Sequence, residues 1–212
     1  MSDVTQLQGT VGQATASSGE SRAVTLTPRV ALRTAGSQGA FQDAVERGNV
    51  YGVCNQAGVT SQAGLSLTTP VLTLYNPSGS GKNLVVWYAG VTFTVAPATA
   101  GAVWVAVNSN TAAAAVTGTL TTAHRNLKRG TANGNSAQAL LAATLPAAPV
   151  AVALLGTNLT GAITTAPIAP TLERWFNGSL ILIPGTALSI QTGVASGASG
   201  TFCEYIWEEC DA

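Results

Sequence analysis

Acid–base, nucleophilic or metal chemistry in this chain would have to draw on one histidine, three cysteines and nine carboxylates among 212 residues. A Ser-His-Asp or Cys-His arrangement would have to use His124. That residue opens the run His124-Arg125-Asn126-Leu127-Lys128-Arg129, which reads as an exposed, solvated basic loop. Metal sites built on two or more histidines are excluded by count, and no acidic loop has the spacing of a calcium-binding EF-hand. Cys54, Cys203 and Cys210 are odd in number and lack metal-ligand spacing, so they read as small buried hydrophobes or free thiols of a reducing cytoplasm. A Cys203–Cys210 bridge would have to join the middle of one strand to its own end. Glycoside hydrolysis needs two carboxylates facing each other across a cleft, and Glu173 with Glu204 is the pairing that would have to supply them. Ser78-Gly79-Ser80-Gly81-Lys82 looks like part of a phosphate loop. The full pattern fails at Asn76 and Asn83, where Gly and Ser or Thr are required. The expectation is therefore no catalytic, cofactor or metal residue, and no enzyme.

Contact residues are a different matter. Arg125, Lys128 and Arg129 place three of the nine cations within five residues and could meet an acidic patch on a partner. Arg22, Arg29, Arg33 and Phe41 are the corresponding candidates near the N-terminus. Trp87, Trp104 and Trp207 read as core. Trp175-Phe176, between Glu173-Arg174 and Asn177-Gly178, is expected at a turn and is the best candidate for an exposed aromatic contact. Glu208, Glu209 and Asp211 form an acidic tail.

The elements that must hold these residues follow from composition. Charged residues are 8% of the chain and the formal net charge is zero, against roughly 25% charged residues in ordinary soluble domains. Thr, Ser, Asn, Gln and Gly must supply the polar surface, which suits a chain covered by partners or by copies of itself. Nucleic-acid binding needs a basic footprint that a pI near 6.5 does not provide. The opening MSDVTQLQGT has no signal-peptide pattern, and the longest apolar run, at residues 147–155, is too short to span a bilayer. A soluble chain without an export address is expected.

Residues 1–45 lack a sustained period and read as an extended arm. Its one helical turn, at residues 40–47, puts Phe41, Ala44 and Val45 on one side. Residues 46–212 read as one domain of strands and turns. Strands are expected at 50–54, 71–75, 83–95, 102–107, 118–122, 146–155, 163–168, 179–183, 187–192 and 201–208, with residues 136–143 undecided between helix and strand. Val103, Val105 and Val107 alternate with Trp104, and Cys203, Tyr205 and Trp207 alternate with Phe202, Glu204 and Ile206, the period of half-buried strands. Gly90 is expected at a bulge, and SLILI-PGT-ALSIQT reads as a hairpin around Pro184-Gly185. With no βα alternation, the physical solution is all-β: an antiparallel β-sandwich or jelly roll with an extended N-terminal arm.

The hairpin at residues 183–192, the closing run Gly200-Thr201-Phe202-Cys203 with Trp207-Glu208-Glu209, and the Ala/Thr/Gly-rich, charge-poor body resemble β-sandwich structural proteins of tailed bacteriophages, among them capsid decoration (cement) proteins and head or tail fibre subunits. The resemblance implies a non-enzymatic virion component on the capsid surface, assembled in the host cytoplasm. The implied partners are the major capsid protein and its own copies in a dimer or trimer, with no nucleic acid, membrane, small-molecule substrate or cofactor. It also implies an alternative, a receptor-binding module that recognises a host glycan through Trp175 and Phe176.

Overall fold

The computed structural model describes residues 41–95, 97, 99–109, 116–130, 136–158, 171–196 and 199–212. Arg22, Arg29 and Arg33, with residues 1–40 of the arm, and the strand expected at 163–168 lie outside the described residues. The compact unit that holds the sheets runs from Ala40 to Ala212.

Helix α1 (Gln42–Arg47) is followed by β1 (Val50–Cys54), β2 (Thr73–Asn76), β3 (Lys82–Phe93), β4 (Gly101–Ser109), β5 (Thr117–Leu120), β6 (Arg125–Asn126), β7 (Gln138–Thr144), β8 (Val150–Asn158), β9 (Leu172–Leu182), β10 (Thr186–Thr192) and β11 (Thr201–Asp211). A five-stranded sheet of order β6-β1-β11-β3-β9 faces a six-stranded sheet of order β5-β7-β2-β10-β4-β8. All the strand pairs are antiparallel. Four of them are nested in sequence: β4 with β8, β3 with β9, β2 with β10, and β1 with β11. A long hairpin rolled on itself into two Greek keys has this order, so the sandwich is a jelly roll. The stretch from β5 to β7 is inserted into the innermost loop. It extends both sheets on one side, β6 pairing with β1 and β7 with β2. On the opposite side β8 and β9 are the outermost of the described strands.

The alternation expected from sequence places the core. Val103, Val105, Leu188 and Ile190 of the six-stranded sheet meet Leu84, Val86, Val91, Cys203, Tyr205 and Trp207 of the other. Residues 136–143, undecided from sequence, form β7. Its start is held by Glu209, a buried carboxylate on the inner side of β11. The Glu209 oxygens accept from the backbone N–H groups of Ser136 at 2.9 Å and Ala137 at 3.0 Å.

Three expectations require correction. SLILI-PGT-ALSIQT is not a hairpin: β9 lies in one sheet and β10 in the other, so Pro184-Gly185 turns the chain across the sandwich. Trp175-Phe176 is not at a turn between strands but inside β9. Asn177 (φ 51°) and Gly178 (φ 82°) take left-handed conformations there, which these two residue types tolerate best. They form a wide bulge, so β9 skips from Trp175, opposite Tyr88, to Leu180, opposite Val86. The bulge expected at Gly90 falls instead at Trp87, the residue left without a partner between Val86 and Tyr88. Trp87 and Tyr88 consequently both point outward. Phe41, Ala44 and Val45 of the α1 region cover Trp87, and the Phe41 and Trp87 rings lie 4.3 Å apart.

Candidate functional site

The sandwich divides its polar chemistry unequally. None of β2, β4, β5, β7, β8 and β10 contains Asp, Glu, Lys or Arg, and neither does the connecting segment 55–72. The charges of the described residues belong to α1, to the five-stranded sheet and to the turn after β6. Two groups on that charged half could make contacts.

The first spans the outer face of the five-stranded sheet. The register aligns Cys54, Glu204, Gly90 and Glu173 in one row across β1, β11, β3 and β9. Gly90 leaves a gap in that row, and the Tyr88 ring fills it: a Cβ on Gly90 would stand 2.5 Å from the Tyr88 hydroxyl. The phenol thereby reaches both carboxylates, at 2.9 Å from Glu173 Oε2 and 2.7 Å from Glu204 Oε1. Burial, and then the two carboxylates, push the Tyr88 proton well above the usual phenol range. A phenol has one proton, so it donates to one carboxylate at a time. Beside the phenol, Trp175 is 50% exposed. Its ring meets Tyr88 edge-on at 4.9 Å and stacks on Phe41 at 6.2 Å. The sequence-derived pairing of Glu173 with Glu204 is thus a real juxtaposition. In this arrangement, however, Tyr88 occupies the gap where a glycosidic oxygen would have to sit. Phe176, offered with Trp175 as an exposed contact, is buried in the core, and Arg174 lies over its ring at 5.6 Å.

The second group is the basic loop. Asn126 organises it by accepting from the backbone N–H groups of Lys128 (3.0 Å) and Arg129 (3.2 Å) and donating to the Gly48 carbonyl. Lys128 is spent on α1, bonding the Glu46 carbonyl and pairing with its carboxylate at 3.3 Å. Arg125 turns back onto the carbonyls of Thr122 and His124. Arg129 is exposed and its guanidinium has no partner among the described residues. His124, expected to be exposed, is half-buried.

None of the three cysteines forms a disulfide. Burial holds the Cys54 thiol above its usual range, with Glu204 adding to the effect, and burial does the same for Cys203, so neither is primed as a thiolate. These shifts have a consequence for stability. A proton held more tightly in the folded state stabilises fully below the unfolded pKa and is lost as pH rises. Cys203, Tyr88 and Tyr205 are all raised, so unfolding free energy should fall above about pH 9, where free thiols and then phenols begin to ionise. Urea melts at pH 7, 9 and 10 check this, and Cys203→Ala should shallow the decline.

Among the described residues no group of three His, Cys, Asp or Glu could hold a metal ion, and no helix is long and apolar enough to cross a membrane. Comparison of the chain with protein-family models, with curated proteins and with solved structures finds no match.

Proposed function

We propose that this chain is a non-enzymatic structural component of a tailed-phage virion: a decoration protein that sits on the capsid surface and bridges neighbouring major capsid subunits. The observation that carries the reading is the partition of charge. One half of the jelly roll bears the ionic side chains, while the strands of the other half bear none. A half without charge lacks the ordinary means of staying apart from other molecules in solution and suits a subunit covered in an assembly. Arg125 and Arg129 on the charged half, together with Arg22, Arg29 and Arg33 in the preceding arm, are the contacts offered to an acidic shell surface. Repeated over a symmetric lattice, individually weak contacts of this kind give strong retention by avidity.

A second reading is favoured by the exposed Trp175 beside Tyr88, Glu173 and Glu204: a receptor-binding module in which an indole face stacks on a sugar ring and carboxylates accept its hydroxyls. One experiment separates the two. Intact phage particles are labelled with gold-conjugated antibody against this chain and imaged. Label spread over the head is the expected result. Label confined to the tail end replaces decoration with receptor binding, and particles without label from lysates that contain the chain remove both.

A further inference from the structure

The insertion from β5 to β7 covers one side of the sandwich, and among the described strands β8 and β9 are the edges of the other. These two edges are not alike. β9 is blunted by its wide bulge and by Glu173 and Arg174, devices that keep sheet edges from associating. β8 contains no charge and no proline, and Val150, Val152 and Leu154 along it are 66%, 49% and 58% exposed. The apolar surface also extends onto the sheet. Leu154 is opposite Trp104, which is opposite Gln191. Gln191 in turn holds Ser66, accepting from its N–H and donating to its carbonyl. The two neighbours of Ser66, Leu65 and Leu67, are 39% and 43% exposed. The outcome is an apolar stripe from the β8 edge to the segment that crosses the end of the sheet, with no ionic group on any of its strands.

We infer that this stripe joins two copies of the chain about a twofold axis, an inference that rests on reading the protein as an assembly component. The choice of occupant follows from charge. A partner surface carrying Lys, Arg, Asp or Glu would lose the hydration of those groups and find no counter-charge on these strands or on residues 55–72. The complementary surface must itself be apolar and uncharged, and on this molecule β9 fails that requirement while β8 meets it. An edge that fits its own copy makes an isologous, closed contact and hence a dimer. β8 skips Leu155 and Val152 in its pairing with β4. These two bulges twist its outer backbone away from a straight ladder, so the copies meet through side chains rather than by adding a strand.

The test is sedimentation of the full purified chain over a range of micromolar concentrations. Wild type is expected to be a concentration-dependent dimer. Leu154→Glu should weaken dimerisation on the order of 100-fold, because the contact would bury an unpaired carboxylate. Leu127→Glu, at an exposed position beside β6 on the far side of the other sheet, should leave it unchanged. Val152→Lys carries the test if the circular dichroism spectrum of Leu154→Glu differs from wild type. A wild-type chain that stays monomeric, or a dimer that survives the β8 substitution, overturns the inference. A dimer missing from virions overturns the decoration reading alone, and a virion-bound monomer does the reverse.

Discussion

Tyr205→Phe should destabilise the fold by about 2–4 kcal/mol through the loss of one oxygen, because two buried backbone groups lose their partner together. Tyr205 projects from β11 across the core, fully buried. Its hydroxyl donates to the Leu72 carbonyl at 2.9 Å and accepts from the Ile190 N–H at 3.0 Å. The location makes those bonds hard to replace. β2 and β10 pair at Leu74 with Leu188 and at Thr73 with Ser189, so Leu72 and Ile190 form the next rung. The phenol stands in that rung and ties the middle strand of one sheet into the ladder of the other. For a domain of this size the loss corresponds to a fall in thermal midpoint of roughly 4–16 °C. Thermal and urea unfolding of the two proteins measure it. A loss below about 1 kcal/mol would mean that Leu72 and Ile190 close the rung directly.

Glu209→Ala should cost a comparable amount, about 2–4 kcal/mol, by a different route. Among the described residues the Glu209 carboxylate forms no ion pair, and it holds the backbone N–H groups of Ser136 and Ala137. Hydrogen bonds to an ionised acceptor are the stronger kind, and these two attach the beginning of β7 to β11 in the facing sheet. Glu209→Gln retains one acceptor oxygen and should fall between wild type and Ala. Amide hydrogen exchange distinguishes this clamp from a general packing defect. Ser136 and Ala137 should lose protection in the Ala variant well before Val105 or Leu188 does. Uniform loss across both sheets would refute the local role.

The same residue shows what the sequence reveals and what it hides. The period-2 pattern of Cys203, Tyr205 and Trp207 identifies β11 and its inner face, because burial on one side leaves that trace in any strand. Glu209 has the same parity. Its burial is legible in that pattern, but its place in the run Glu208-Glu209-Cys210-Asp211 reads as an acidic tail. Pro184-Gly185 was rightly read as a reversal. Turn chemistry specifies that the chain turns, not whether the two arms share a sheet, and so β9 and β10 appeared to be a hairpin. Asn177-Gly178 misled for a related reason: residues that suit a left-handed turn also suit a bulge within a strand. The meeting of Tyr88 with Glu173 and Glu204 was beyond the reach of local pattern, since it depends on the register of three strands distant in the chain and on the missing side chain of Gly90. The helix at Phe41 was legible because its apolar residues have helical spacing and a matching apolar face, at Trp87 and Val50, to cover.

The nested pairing also constrains when the molecule can become itself. β11 is the last made of the described strands, yet it lies between β1 and β3, and contacts such as Asn55 with Cys203 connect positions 148 residues apart. Until β11 arrives, β1 and β3 have no neighbour to separate and join them, and the five-stranded sheet has a slot at its centre. The sheet can therefore close only after β11 has been made, at the slow rates typical of long-range strand pairing. Throughout that interval a chain poor in charge presents unpaired strands to its neighbours, so its exposure to aggregation lies in the time before β11 is in place.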